Sequence, residues 1–244
     1  TACVSSQVGC SLTCKFCATG KLNRERNLEF DEIYDQVAII REQSEKQYNM
    51  QLSNVVYMGM GEPLLNYANV LKSIEYITSP QGLHMAPRRI TVSTAGIAKM
   101  IKKLGDDQVK FNLALSLHAA NDKKRDKIMP INESNNLEVL EDALNYFYDK
   151  TGTRVTLEYI VFKNFNDGMD DARELAAFAK RVVSKINLIE YNPIDGGEFQ
   201  RTTDERVNAF MSELWRNGLV VNLRRSRGKD IDAACGQLAN KSVK

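Results

Sequence analysis

Cys10, Cys14 and Cys17 stand in the stretch CVSSQVGCSLTCKFCATGK, residues 3–21, spaced C-x3-C-x2-C, with Cys3 just ahead of them. Four of the chain's five cysteines fall there. Gly9, Ser11, Thr13 and Gly20 let the backbone fold tightly enough for three thiolates to converge. A structural zinc site closes a tetrahedron with four ligands, commonly as two short pairs. This chain offers one triplet; its only histidines are His84 and His118, and the fifth cysteine, Cys235, is far away. Three close thiolates suit instead a 4Fe-4S cluster with one iron left open to a substrate-like ligand.

The setting agrees with metal binding or catalysis. No apolar run approaches the roughly 20 residues that span a bilayer, and the start lacks the charged-then-apolar pattern of a secretory signal. A cytoplasmic location without a membrane partner is expected, and there thiols stay reduced. The chain opens with Thr1 rather than Met, so a further N-terminal region is expected outside it.

With 244 residues, 43% hydrophobic and 26% charged, the chain can bury a large core. A net charge of +2 excludes a surface that acts as a whole as a polyanion magnet, although RRSRGK at 224–229 concentrates basic side chains. Taken alone, that run reads as a solvated loop.

These groups need a scaffold. Runs rich in β-branched and apolar residues recur at 2–6, 54–59, 89–94, 109–118, 154–162, 186–192 and 219–224 and read as strands. Helical spacing separates them, as at Ile33, Val37 and Ile40, at Val70, Ile74 and Ile77, at Leu137, Leu140 and Leu144, and at Phe210 and Leu214. Trp215, on the last of these helices, reads as core. Strand–helix alternation implies parallel strands with right-handed crossovers, and about six βα units favour an α/β partial barrel over an open doubly wound sheet.

Polar and glycine-containing clusters follow the strands: GMGEPLLN (59–66), STAG (93–96), SLH (116–118) and YNP (191–193). Each alone could be a turn. All lie at strand C-terminal ends, the edge where α/β folds place their sites. GMG is no dinucleotide turn, because G-x-G-x-x-G requires glycine where Leu64 stands.

The cysteine spacing, with Phe16 before the last cysteine in the loop after the first strand, resembles the radical S-adenosylmethionine (SAM) superfamily. CVSSQVGC, FCATG, GMGEPLLN, STAG, SLHA, MPIN, YNP and DIDAACGQL, running from Cys3 to Leu238, together resemble the RlmN-type RNA adenine C2-methyltransferases of the RlmN/Cfr family. The resemblance implies a partial (βα)6 barrel of parallel strands with outer helices, forming one catalytic domain over 1–244, with the family's N-terminal RNA-binding region outside this chain. It implies two cofactors, a 4Fe-4S cluster on Cys10, Cys14 and Cys17 and SAM. Gly61 and Glu62 would meet the methionine end of SAM, and Ser93, Ser116, Leu117, His118 and Asn192 would line the rest of its pocket.

By the same resemblance Cys235 carries a methyl group that becomes a sulfur-bound methylene radical and adds to carbon 2 of an adenine. Cys3 then attacks the Cys235 sulfur, forming a disulfide and releasing the base. The implied partners are structured RNA, 23S ribosomal RNA and as an open second case transfer RNA, and an electron donor such as flavodoxin or ferredoxin, acting on a monomer. Arg224, Arg225, Arg227 and Lys229 beside Cys235, and Lys15, Lys21, Arg24 and Arg26 around the cysteine loop, form the expected phosphate-binding strips. Single residues have blander readings, since Cys3 and Cys235 could be small buried apolar groups and His118 a satisfied core histidine. Three rivals stand beside this reading: a Cfr-like C8-methyltransferase conferring antibiotic resistance, a non-catalytic zinc or RNA-binding module, and a radical SAM enzyme acting on a small molecule.

Overall fold

The computed structural model describes residues 1–225 and 234–239. Strand β1 (Ala2–Cys3) runs into an antiparallel ribbon, β2 (Gln7–Val8) and β3 (Arg26–Asn27), that brackets the cysteine loop. Helix α1 (Phe30–Tyr48) follows, then β4 (Val55–Tyr57), α2 (Tyr67–Thr78), β5 (Ile90–Thr94), α3 (Ala98–Asp106) and β6 (Asn112–Ser116). Helices α4 (Asp122–Ile128) and α5 (Leu137–Thr151) lead to β7 (Val155–Val161), α6 (Met169–Arg181), β8 (Ser184–Glu190), α7 (Asp204–Arg216) and β9 (Val221–Arg224). Apart from the ribbon, the strands form one seven-stranded parallel sheet in chain order. Every step is a parallel neighbour pairing, as in Val155 opposite Ser184 through Val161 opposite Glu190. The sheet curls into a half-barrel with the helices outside, as the strand–helix alternation predicts.

The period-two alternation of each strand divides its residues between two environments. Val55, Ile90, Val92, Leu113, Leu115, Val155, Leu157, Ile186 and Leu188 point outward into the main core under the helices. Burying each such side chain contributes about 1.5–3 kcal/mol. The intervening residues, among them Cys3, Met58, Thr91, Ser93, Ser116, Thr156, Glu158, Asn187 and Arg224, face the concave side and line its cavities. This polar inner face is where chemistry can take place.

Two local features depart from the sequence-based expectation. Trp215 is 54% exposed. Val207, Phe210, Met211 and Leu214 make the buried stripe of α7, and Trp215 lies one residue, about 100° around the helix, beyond its edge. The ribbon β2–β3 was not foreseen, because strands of two residues are too short to leave a periodic signal. Gln7 Nε2 donates to Asn27 Oδ1 at 2.8 Å and Glu25 N to the Val8 carbonyl at 2.8 Å, so the loop between the two strands is pinned at its base. No helix among the described residues is long and apolar enough to cross a membrane.

Candidate active site

The cysteine loop closes on itself and on its neighbours. Cys17 N donates to the Cys14 carbonyl at 3.2 Å, Gly20 N to the Cys17 carbonyl at 3.1 Å, and Lys15 N to the Ile128 carbonyl at the end of α4 at 3.0 Å. Gly9 has φ +75°, and a Cβ there would lie 2.0 Å from the Asn23 carbonyl oxygen, so only glycine allows the loop to return on β3. Phe16 is buried, with its ring edge-on to His118 at a centroid distance of 4.7 Å. Cys10, Cys14 and Cys17 all line one cavity. Burial pushes the Cys10 and Cys14 thiols above their ordinary value, and at Cys14 the other two thiols and then Glu62 add to the rise.

The opposite wall comes from the strand ends. Gly61, at φ +96°, brings its backbone against Gln7, whose Cβ would lie 2.5 Å from a Cβ at that position. The turn aims the buried Glu62 carboxylate, which accepts from Ala95 N at 2.7 Å and Leu64 N at 3.1 Å. Burial raises its carboxyl above the usual range even so, and among the described residues no Lys or Arg forms an ion pair with it. Ser93 and Ser116, on adjacent strands, face the cavity with their hydroxyl oxygens 3.4 Å apart. His118 holds left-handed backbone at φ +56°, and its Nδ1 accepts from Ile160 N at 3.1 Å. Burial, with the Arg125 charge second, pushes its imidazole down to about 3, so it stays neutral.

The segment 234–239 lies across the mouth of this cavity. The Gly236 carbonyl accepts from Ala18 N at 2.7 Å, and the Leu238 carbonyl from Thr19 Oγ1 at 2.6 Å. The Cys235 carbonyl accepts from Asn192 Nδ2 at 3.1 Å, and Gln237 Nε2 donates to the Pro193 carbonyl at 3.0 Å. Cys235 lines the first cavity and also a second on the concave side of the sheet, which Cys3, Thr91, Thr156, Lys185, Asn187 and Arg225 line as well. Met58, Glu158, Ile189, Arg224 and Leu238 likewise belong to both. Burial pushes the Cys235 thiol up to about 12; Arg224 pulls it down, while Cys3, Cys17 and Glu158 raise it. Cys3 is exposed at the rim, yet the protein mass around its sulfur raises its thiol, with Arg224 opposing.

The structure thus gathers Cys10, Cys14, Cys17, Gly61, Glu62, Ser93, Ser116, His118 and Cys235 around one cavity, and Cys3 with Cys235 around the next. The Leu117 side chain belongs to the main core instead, one residue out of phase with Ser116 and His118. Asn192 acts on the backbone of Cys235. Of the basic side chains, Arg224 and Arg225 line the second cavity, Lys21 donates to the Asp195 and Gly196 carbonyls, and Arg26 pairs with Glu32 at 2.6 Å. Lys15 and Arg24 are exposed; Arg227 and Lys229 lie outside the described residues. Sequence reasoning missed Glu158 and Arg125. An acid inside the apolar strand VTLEYIV was the available signal for Glu158.

Comparison with known proteins settles the family. The model of the radical SAM superfamily matches residues 4–179. A protein of Cytophaga hutchinsonii named "Probable dual-specificity RNA methyltransferase RlmN" is 64% identical over 244 residues, which are 100% of this chain and 67% of that protein. The "Dual-specificity RNA methyltransferase RlmN" of Nautilia profundicola is 43% identical over 100% of this chain and 68% of its own length. The chain belongs to the RlmN family of radical SAM methyltransferases. The crystal structure of a radical SAM methyltransferase from Sphaerobacter thermophilus superposes with a TM-score of 0.93 at 39% identity, covering 96% of this chain and 69% of that one. The chain therefore spans about two thirds of the length of its RlmN relatives.

Radical SAM enzymes use a 4Fe-4S cluster and SAM, and the site fits both. Among the described residues no three His, Cys, Asp or Glu side chains converge as ligands of one metal ion would. Three thiols distributed around a single cavity are what a cluster with one thiolate per iron takes. Bound iron favours the thiolate forms that burial alone disfavours. The buried Glu62 carboxylate, braced by backbone N–H groups and lacking a protein cation, suits an ammonium group.

Proposed function

We propose that this chain carries out methylation of carbon 2 of an adenine in structured RNA, with Cys235 as the methyl-carrying residue and Cys3 as its resolving thiol. Two RNA classes, 23S ribosomal RNA and transfer RNA, are the proposed substrates, in keeping with the dual specificity in the relatives' names. The observation that carries this reading is the position of Cys235 in the wall shared by two cavities, one lined by Cys10, Cys14, Cys17 and Glu62, the other by Cys3.

Cys10, Cys14 and Cys17 would hold the cluster, and Gly61, Glu62, Ser93 and Ser116 would hold SAM, with His118 stiffening the pocket floor. When bound, these cofactors supply a methyl group and a one-electron reaction strong enough to break an unactivated C–H bond, which no side chain can do. The remaining chemistry belongs to the protein. Cys235 must lose its proton to be methylated, and the Arg224 charge is the influence that favours its thiolate. From the second cavity an adenine can reach the sulfur-bound carbon. Once that carbon is joined to the base, the Cys3 sulfur attacks the Cys235 sulfur. The S–S bond forms, the S–C bond breaks, and the carbon leaves with the electron pair and is protonated to a methyl group. Arg225 and the exposed Lys15 and Arg24 are proposed phosphate contacts. We further propose a cytoplasmic monomer, residues 1–244 as one catalytic domain, and a flavodoxin or ferredoxin as reductant.

The test is mass spectrometry of the peptide Asp230–Lys241 from iron-loaded protein. Cys235 is expected to carry one methyl group, and digestion of treated RNA should yield 2-methyladenosine. An unmodified Cys235 in fully iron-loaded, SAM-treated protein overturns the cysteine roles; 8-methyladenosine overturns the carbon assignment.

A further inference from the structure

Arg125 is the largest fully buried side chain among the described residues. Its hydrogen bonds go to neutral oxygens: Nε donates to the Leu117 carbonyl at 3.2 Å, Nη1 to Asn132 Oδ1 at 2.6 Å and the Asn135 carbonyl at 3.5 Å, and Nη2 to the Ala95 and Ser116 carbonyls at 2.6 and 3.3 Å. No carboxylate pairs with it directly among the described residues. Asp122 and Asp126 reach it only through Asn132, whose Nδ2 donates to them at 2.9 and 2.6 Å. A whole positive charge in the interior needs an anion. Burial pulls the guanidinium down, to about 10 after the opposing influences of Cys14, the largest of them, and of Asp122 and Asp126.

The geometry couples the two residues. Lys15 N, next to Cys14, donates to Ile128 at the end of Arg125's own helix. Ile128 and Met129 pack in the small core that holds Phe16, Cys14 and Cys17. Arg125 also reaches the strand ends: the Ala95 carbonyl accepts from Arg125 Nη2, and the N–H of the same residue donates to Glu62 Oε2.

We propose that Arg125 is the buried counter-charge of the cysteine loop, a positioning residue that sets the reduction potential of the cluster and braces the Glu62 wall against SAM. The proposal rests on the reading of Cys10, Cys14 and Cys17 as cluster ligands. Reduction adds one negative charge to the cluster, so a fixed cation nearby in a medium of low dielectric stabilises the reduced form and raises the potential. The forked guanidinium bonds several carbonyls at once, which a point charge cannot do.

The experiment is a potentiometric titration followed by electron paramagnetic resonance, at matched iron and sulfide content, with calorimetric SAM binding, on wild type, Arg125→Gln, Arg125→Lys and Asp126→Asn. Arg125→Gln is expected to move the midpoint to a more negative value and to weaken SAM binding about tenfold. Arg125→Lys should keep the wild-type midpoint yet still bind SAM several-fold more weakly. Asp126→Asn, a change at an exposed residue, should shift the midpoint upward. An Arg125→Gln midpoint equal to wild type, or Arg125→Lys falling as far as Arg125→Gln, overturns the proposal. If Arg125→Gln does not fold, an unchanged or lowered Asp126→Asn midpoint overturns it. Failure of wild type to take up iron would refute the ligand assignment and this role of Arg125 with it, whereas an iron-loaded wild type beside an unmoved Arg125→Gln midpoint refutes the role of Arg125 alone.

Discussion

Arg224 Nη1 lies 3.7 Å from Glu158 Oε2 and 3.2 Å from the Met58 sulfur, in the wall between the two cavities where Cys235 sits. Glu158 is buried on β7, its Oε1 accepts from Asn187 Nδ2 at 2.9 Å, and its carboxyl is raised by burial, with Arg224 the leading opposing influence. One guanidinium therefore serves a buried carboxylate and two thiols, Cys235 and Cys3.

Replacing Arg224 by Gln removes the cation that favours the Cys235 thiolate. Alkylation of Cys235 by iodoacetamide, followed by peptide mass spectrometry, is expected to slow several-fold at fixed pH, with partial recovery in Arg224→Lys. In the wild type the thiol titrates at about 12, so the rate should climb roughly tenfold per pH unit below that value without levelling. Because Arg224 is partly exposed, the stability loss should be modest, about 1–2 kcal/mol.

Replacing Cys3 by Ala leaves methyl loading of Cys235 intact and removes the thiol that would break the adduct. RNA is expected to remain covalently attached to the protein in a denaturing gel, and proteolysis should leave the modified nucleotide on the Cys235 peptide. Free methylated RNA from this variant at the wild-type rate would rule out Cys3 as the resolving thiol.

His118 gives the site a defined acid limit. Its imidazole is held at about 3, below the ordinary 6.5. A depressed folded-state value stabilises the fold above the unfolded value, and that contribution is lost as pH falls from about 6.5 towards 3. Between pH 7 and pH 5 the loss is about 2 kcal/mol, measurable by urea titration. In His118→Asn the amide oxygen can take the Ile160 hydrogen bond, and asparagine tolerates the left-handed backbone. That variant should be less stable at pH 7 and much flatter down to pH 5.

Thr19→Val removes the 2.6 Å hydrogen bond to the Leu238 carbonyl, a loss of about 1 kcal/mol that falls on the segment bearing Cys235. Amide exchange and protease cleavage around 234–239 should quicken while global unfolding barely changes. Methyl occupancy of Cys235 should drop with it.

The seven sheet strands were legible in the sequence because β-branched runs separated by helical spacing leave few other arrangements. The cysteine triplet was legible from its spacing and thiol chemistry, and GEPLLN from its place at a strand end and its likeness to the family's motif. Within SLH the alternation along the strand sends the Leu117 side chain into the helix layer while Ser116 and His118 face the cavity. Arg125 was hidden in the basic run DKKRDK. Only its i,i+3 relation to Ile128 distinguishes it from its exposed neighbours, and a helix of seven residues gives periodicity little room. The hydrogen bonds that hold 234–239 on the cysteine loop join residues more than two hundred positions apart, and no local pattern announces such a contact.

The alternation along the strands has a consequence for how such an enzyme can change. Outward residues such as Val155, Leu157 and Tyr159 stabilise the scaffold, while inward ones such as Thr156, Glu158 and Ile160 face the reactants. The two sets interleave in sequence and lie on opposite faces of the sheet. Inheritance can therefore revise the lumen one residue at a time, altering substrate and reactivity, while the apolar packing on the outer face of the same strand keeps its own residues.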